Sequence, residues 1–124
     1  MEKLISFDFD GVVHSYTSGW AGDAVILDGP VPGIREAIVE IRSAGYKVVV
    51  HSYRCRTKTG RDAIREWLRK HGILVDDVVA EKPLAVVHID DRAICFDGKP
   101  ATLFGKIKNF SPWYQQKHLP WDLI

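Results

Sequence analysis

The stretch "YKVVVHS", residues 46–52, constrains the fold most: three successive valines leave neither face of a strand polar. Such runs belong to strands covered on both faces, which occur in parallel sheets. "KLISFDF", "DVVA" and "LAVVHI" supply a first, third and fourth strand. Between the first two, Ile34, Ala37, Ile38 and Ile41 recur at helical spacing from Gly33, and Gly45 is a natural stop. Before the third strand, Thr59 and Asp62 resemble a capping box opening a helix through Ile64, Trp67, Leu68 and His71, closed by Gly72. The alternation predicts an α/β domain with a three-layer, Rossmann-like parallel sheet. A fifth strand is expected at "AICF" (93–96) and a hairpin around "AVILDG" within the loop 11–32. The connection from third to fourth strand is too short for more than a turn.

A chain of 124 residues suits one domain, with a core over 1–96 and an aromatic-rich tail over 97–124. The tail carries Phe104, Phe110, Trp113, Tyr114 and Trp121. It reads as a segment wrapped over the core, or as a homo-oligomer contact, or as a wall facing a substrate. The net charge of +1 draws in neither nucleic acid nor membrane by a global field. No signal-peptide pattern is present, and no apolar stretch reaches the roughly 20 residues of a membrane span. Cys55 and Cys95 make no disulfide framework. A cytoplasmic protein without membrane partners is expected.

In a parallel sheet every strand's carboxyl end lies on one edge, where ligands bind at the topological switch point. Asp8 and Asp10 fall at the end of the first strand, Ser52 at the end of the second, Lys82 just after the third, and Asp90 and Asp91 at the end of the fourth. Four carboxylates in one crevice repel one another unless a hard cation joins them. Mg2+ takes oxygen ligands and leaves places for water and a phosphate. A carboxylate there can attack phosphorus, and a second can protonate the leaving oxygen and later deprotonate water. Gly11 lets the chain turn sharply beside them. Ser52 and Lys82 can hold phosphoryl oxygens. Arg54 and Arg56 are candidates for substrate contact. His14, His51 and His88 lie near the same edge, and a histidine metal site is an alternative.

"FDFDGVV", "VVVHS", "EKP" and "HIDD" resemble, in order, the four motifs of the haloacid dehalogenase-like (HAD) hydrolase superfamily. The resemblance runs from about residue 4 to residue 96. It implies a Mg2+-dependent phosphatase with Asp8 as nucleophile and Asp10 as general acid and base. It assigns the metal to Asp8, the Asp10 backbone carbonyl and Asp90, with Asp91 acting through water, and the phosphate to Ser52 and Lys82. The short gaps between motifs leave no room for a cap domain, which implies the compact, capless branch.

Two rivals stand beside this. Cys55 and Arg61 in "CRTKTGR" have the C-x5-R spacing of cysteine-dependent phosphatases, in which a thiolate attacks phosphorus at a helix N-terminus. The other is a metal-binding interaction module without turnover.

Overall fold

A computed structural model describes residues 3–115 and residue 121. Four strands, β1 (Leu4–Asp8), β2 (Lys47–His51), β3 (Asp77–Val79) and β4 (Val87–Ile89), form one sheet in the order β3-β2-β1-β4. Every pairing is parallel. Helix α1 (Ile34–Ser43) connects β1 to β2, α2 (Lys58–Lys70) connects β2 to β3, and a short α3 (Leu103–Lys108) follows β4. The chain is therefore an α/β protein with a parallel sheet and flanking helices.

The register explains the core. Ile5 pairs with Val48, Phe7 with Val50 and Val50 with Val78, so these side chains share one face. They form a single buried cluster with Phe9, Ile38 of α1 and Ile64, Trp67 and Leu68 of α2. The valine run of β2 is buried throughout, as continuous apolar character requires. β4 departs from that expectation, because Val87, His88 and Ile89 are all exposed at the sheet edge.

Three sequence expectations are corrected. Residues 93–96 form no strand. A parallel neighbour needs a crossover of about a dozen residues, and only Asp90, Asp91 and Arg92 separate Ile89 from Ala93. Residues 24–29 form no hairpin. The acceptors of this loop go to a side chain instead: Arg54 Nη1 donates to the carbonyls of Gly22 and Asp23, just before the segment, and of Val25 within it, at 2.7–3.0 Å. Helix α2 begins earlier than the Thr59 reading: Thr57 is its N-cap, accepting the Gly60 N–H at 3.1 Å. Between β3 and β4, residues 80–86 cross from one edge of the sheet to the other without a helix.

No helix among the described residues is long and apolar enough to cross a membrane.

Candidate active site

β1 and β4 are neighbours, with Phe7 opposite Ile89, so Asp8 and the Asp90–Asp91 pair emerge side by side at the switch point of the sheet. One oxygen from each of Asp8, Asp90 and Asp91 lies within 4.8 Å of the other two. On the opposite flank Asp8 pairs with His51, which brings Ser52 to the same edge. The Ser52 hydroxyl oxygen accepts the Arg54 N–H at 3.1 Å, leaving its own proton free to donate. Lys82 arrives from beyond β3, with Nζ 3.5 Å from Asp90 Oδ2; its side chain is half-exposed rather than enclosed. Asp8, Asp10, Ser52 and Asp91 line a cleft of about 540 Å3. A second groove, of about 500 Å3 between Arg65 and Val78, holds none of these groups.

The electrostatics favour a cation. Burial pushes the Asp8 carboxyl from 3.8 up to about 8, helped by a hydrogen bond to Asp91 and by the charges of Asp90 and Asp91. Asp90 moves the other way. Desolvation alone raises it, but the Arg92 N–H, the Asp91 side chain and Lys82 together hold it below the usual carboxylate range. One proton thus takes the place of a positive charge among three carboxylates. All donors are hard oxygens, so the set fits Mg2+.

A pH prediction follows. With Asp8 raised, the folded protein binds a proton that the unfolded chain has lost, so stability falls as pH rises from about 4 to about 8. His51, whose folded form is held below 6.5 by burial, works in the opposite direction at the acid end. The Asp8 contribution is therefore read as a difference from Asp8→Asn. In EDTA, melting temperatures should fall more steeply with pH for wild type than for Asp8→Asn. Mg2+ should stabilise wild type more at pH 8 than at pH 6, since binding displaces that proton. Parallel pH profiles for the two proteins would remove the carboxylate coupling.

Asp10 does not join the three. The N–H groups of Val12, Val13 and His14 all bond to the Phe9 carbonyl at 2.9–3.3 Å, and this tight turn swings Asp10 away from Asp8. The Asp10 carboxylate accepts His14 Nδ1–H at 2.8 Å and Arg54 Nε–H at 2.9 Å. His14 Nε2 in turn accepts the Asp28 N–H at 3.1 Å, which assigns the proton to Nδ1. Arg54, a candidate for substrate contact, is fully buried and holds Asp10 and the 22–25 loop in place. Its Nη2 is buried without a partner. Both ring nitrogens of His14 are occupied, and among the described residues Asp8, Asp90 and Asp91 are the group close enough to hold a metal, so a histidine metal site does not assemble.

The tail reaches the site. Trp113 Nε1 donates to the Gly11 carbonyl at 2.7 Å. The Tyr114 hydroxyl accepts Arg92 Nε–H at 3.3 Å, and desolvation and a hydrogen bond to Asp91 push it up to about 12. Tyr114 lines the cleft, and residues 116–120 and 122–124 of the tail lie outside the described residues. Sequence reasoning missed the partnership of His14 with Asp10 and the arrival of Arg92, Tyr16, Trp20 and Tyr114. Only the aromatic density of the tail hinted at the last.

Cys55 is buried in the 3-10 turn Tyr53–Arg56, and burial raises its thiol above 9.0 despite Arg61. Arg61 donates to the Cys55 carbonyl at 3.4 Å rather than facing an anion site. A buried thiol held protonated is a poor nucleophile, which counts against the cysteine route.

No family model matches the chain, and no curated protein matches it. Among solved structures it is similar to D,D-heptose 1.7-bisphosphate phosphatase from B. bronchiseptica, complexed with magnesium and phosphate. The two share 23% identity over 86% of this chain and 62% of that one, with a TM-score of 0.41. This chain thus spans less than two thirds of the other's length.

Proposed function

We propose that the protein is a Mg2+-dependent phosphatase that hydrolyses phosphate monoesters through an aspartyl-phosphate on Asp8, in the manner of HAD hydrolases. The convergence of Asp8, Asp90 and Asp91 beside Ser52 in one cleft carries this reading. Asp8, the Asp10 backbone carbonyl and Asp90 would hold the cation, with Asp91 beside them. When bound, it would supply charge neutralisation for the carboxylates and the incoming phosphate. An Asp8 oxygen bonds to phosphorus as the ester P–O bond breaks, and Asp10, which enters the cycle protonated, gives its proton to the departing oxygen. Asp10 then takes a proton from water, whose oxygen attacks phosphorus; the bond from Asp8 breaks and phosphate leaves. The free O–H of Ser52 and the Lys82 ammonium hold the phosphoryl oxygens. The hydrogen bonds from His14 and Arg54 fix the direction in which Asp10 presents its carboxyl.

The test is phosphate release from p-nitrophenyl phosphate. EDTA should stop it, Mg2+ should restore it, and Cys55→Ser should change the rate by no more than about twofold. Activity that survives EDTA and dies with Cys55→Ser reverses the assignment. No turnover of any phosphate monoester would favour the interaction module.

Lys82 offers a further check. Lys82→Ala should raise KM and lower kcat together, on the order of tenfold in kcat/KM, because bound phosphate and transition state both lose a cation. Lys82→Arg should recover only part of this, since a planar guanidinium does not replace a compact ammonium. Steady-state kinetics within about twofold of wild type for both variants would make Lys82 a solvated surface charge.

A further inference from the structure

We infer that the cleft takes nucleoside monophosphates, with the base stacked on Trp20 and walled by Tyr53 and the phosphate at Asp8 and Ser52; this deepens and rests on the phosphatase reading. The indole of Trp20 lies over the Arg54 guanidinium, 4.5 Å from its centre. Arg54 is itself immobilised by Asp10 and by three backbone carbonyls. Trp20 is thus clamped from behind and still 48% exposed. Tyr53 stands edge-on to it at 6.2 Å, backed by Arg56 at 3.9 Å, and is 61% exposed. Single exposed apolar side chains are ordinary. Two rings, each backed by a cation and both lining the cleft that holds the carboxylates, form a preorganised aromatic corner in which Trp20 offers a face for stacking and Tyr53 a wall beside it.

The same cleft contains Tyr16, whose backbone is held at φ 60°, a conformation that costs a bulky residue energy and is retained where surroundings over-determine it. Tyr16 packs edge-on against Tyr114 at 5.5 Å. Asp23 lines the cleft beside Trp20 and offers an acceptor for ribose hydroxyls or exocyclic amines. The volume of about 540 Å3 lies within the usual range for a small-molecule site. A polyol phosphate would leave the rings idle. A nucleic-acid strand calls for a basic track, whereas this cleft presents Asp8, Asp10, Asp23 and Asp91 against Arg92. A single nucleotide satisfies the rings, the acceptor and the phosphate end together.

Asp8→Asn protein with Mg2+ permits binding to be measured apart from turnover, by calorimetry with adenosine 5′-monophosphate, glycerol 1-phosphate and a 5′-phosphorylated decanucleotide. The mononucleotide should bind about tenfold or more tighter than glycerol 1-phosphate. Adding Trp20→Ala should bring that ratio to within about twofold, and Trp20→Phe should keep most of it. Should Trp20→Ala fail to fold, Tyr53→Ala should lower the ratio in the same direction. Equal affinities for mononucleotide and glycerol 1-phosphate overturn the inference, and so does a decanucleotide that binds more than about tenfold tighter than the mononucleotide. Wild-type release of phosphate from p-nitrophenyl phosphate without a nucleotide preference sinks this inference alone. A nucleotide preference in a protein that turns over no phosphate monoester sinks the catalytic reading and leaves the nucleotide site.

Discussion

Asp8→Asn is expected to lower phosphate release by roughly 10^4-fold or more while the fold survives. The amide oxygen does not displace an alkoxide from phosphorus, so the covalent route closes rather than slows. The fold survives because Asp8 contributes strain, not support. Its carboxyl is raised to about 8 by burial and by Asp91 and Asp90, so the neutral form is the one its surroundings prefer. Asparagine mimics that neutral form. At pH 8 in EDTA the variant should therefore melt no lower than wild type, by circular dichroism, while its Mg2+ affinity drops. A variant that turns over p-nitrophenyl phosphate at near wild-type rates would rule out Asp8 as the nucleophile.

Gly11→Ala is expected to cost about 3 kcal/mol of stability and to weaken Mg2+ binding about tenfold or more. Gly11 has φ 84°, a left-handed conformation that itself disfavours a side chain. A Cβ there would also lie 2.6 Å from Tyr114 Cε1 and collide with Asp91 Oδ2. Something must shift, and both neighbours belong to the site: Asp91 is one of the three clustered carboxylates, and Tyr114 bonds to Arg92. Gly33→Ala is the control. Gly33 has nearly the same φ, 86°, with nothing within 4 Å of a built Cβ, so it carries the backbone cost alone, about 1 kcal/mol. Thermal melts should separate the two by roughly 8 °C. If Gly11→Ala melts like Gly33→Ala and binds Mg2+ as wild type does, the close packing of Tyr114 and Asp91 on Gly11 is wrong.

How much was legible depended on how local each signal is. The valine run of β2, the helical spacing of α1 and the polar residues at strand ends are read over a few residues. Once strands are parallel, their carboxyl ends share an edge by geometry. The grouping of Asp8 with Asp90 and Asp91 therefore needed no knowledge of the core. The fifth strand failed because apolar content was read without asking whether three residues allow a crossover. The hairpin failed because the acceptors of the 22–25 loop answer to Arg54, some thirty residues away.

What the sequence determined by itself is the parallel α/β plan and the set of acids along one edge, since both follow from periodicity and strand direction. Only the tertiary structure decided what each polar group does there. Asp10 sits two residues from Asp8, yet Arg54, 44 positions on, and His14 turn it to a different part of the cleft. Tyr114 enters the site because Trp113 bonds to the Gly11 carbonyl across 102 positions. Such contacts are chosen by the shape left after the sheet and helices have packed, and no short stretch of sequence encodes that shape.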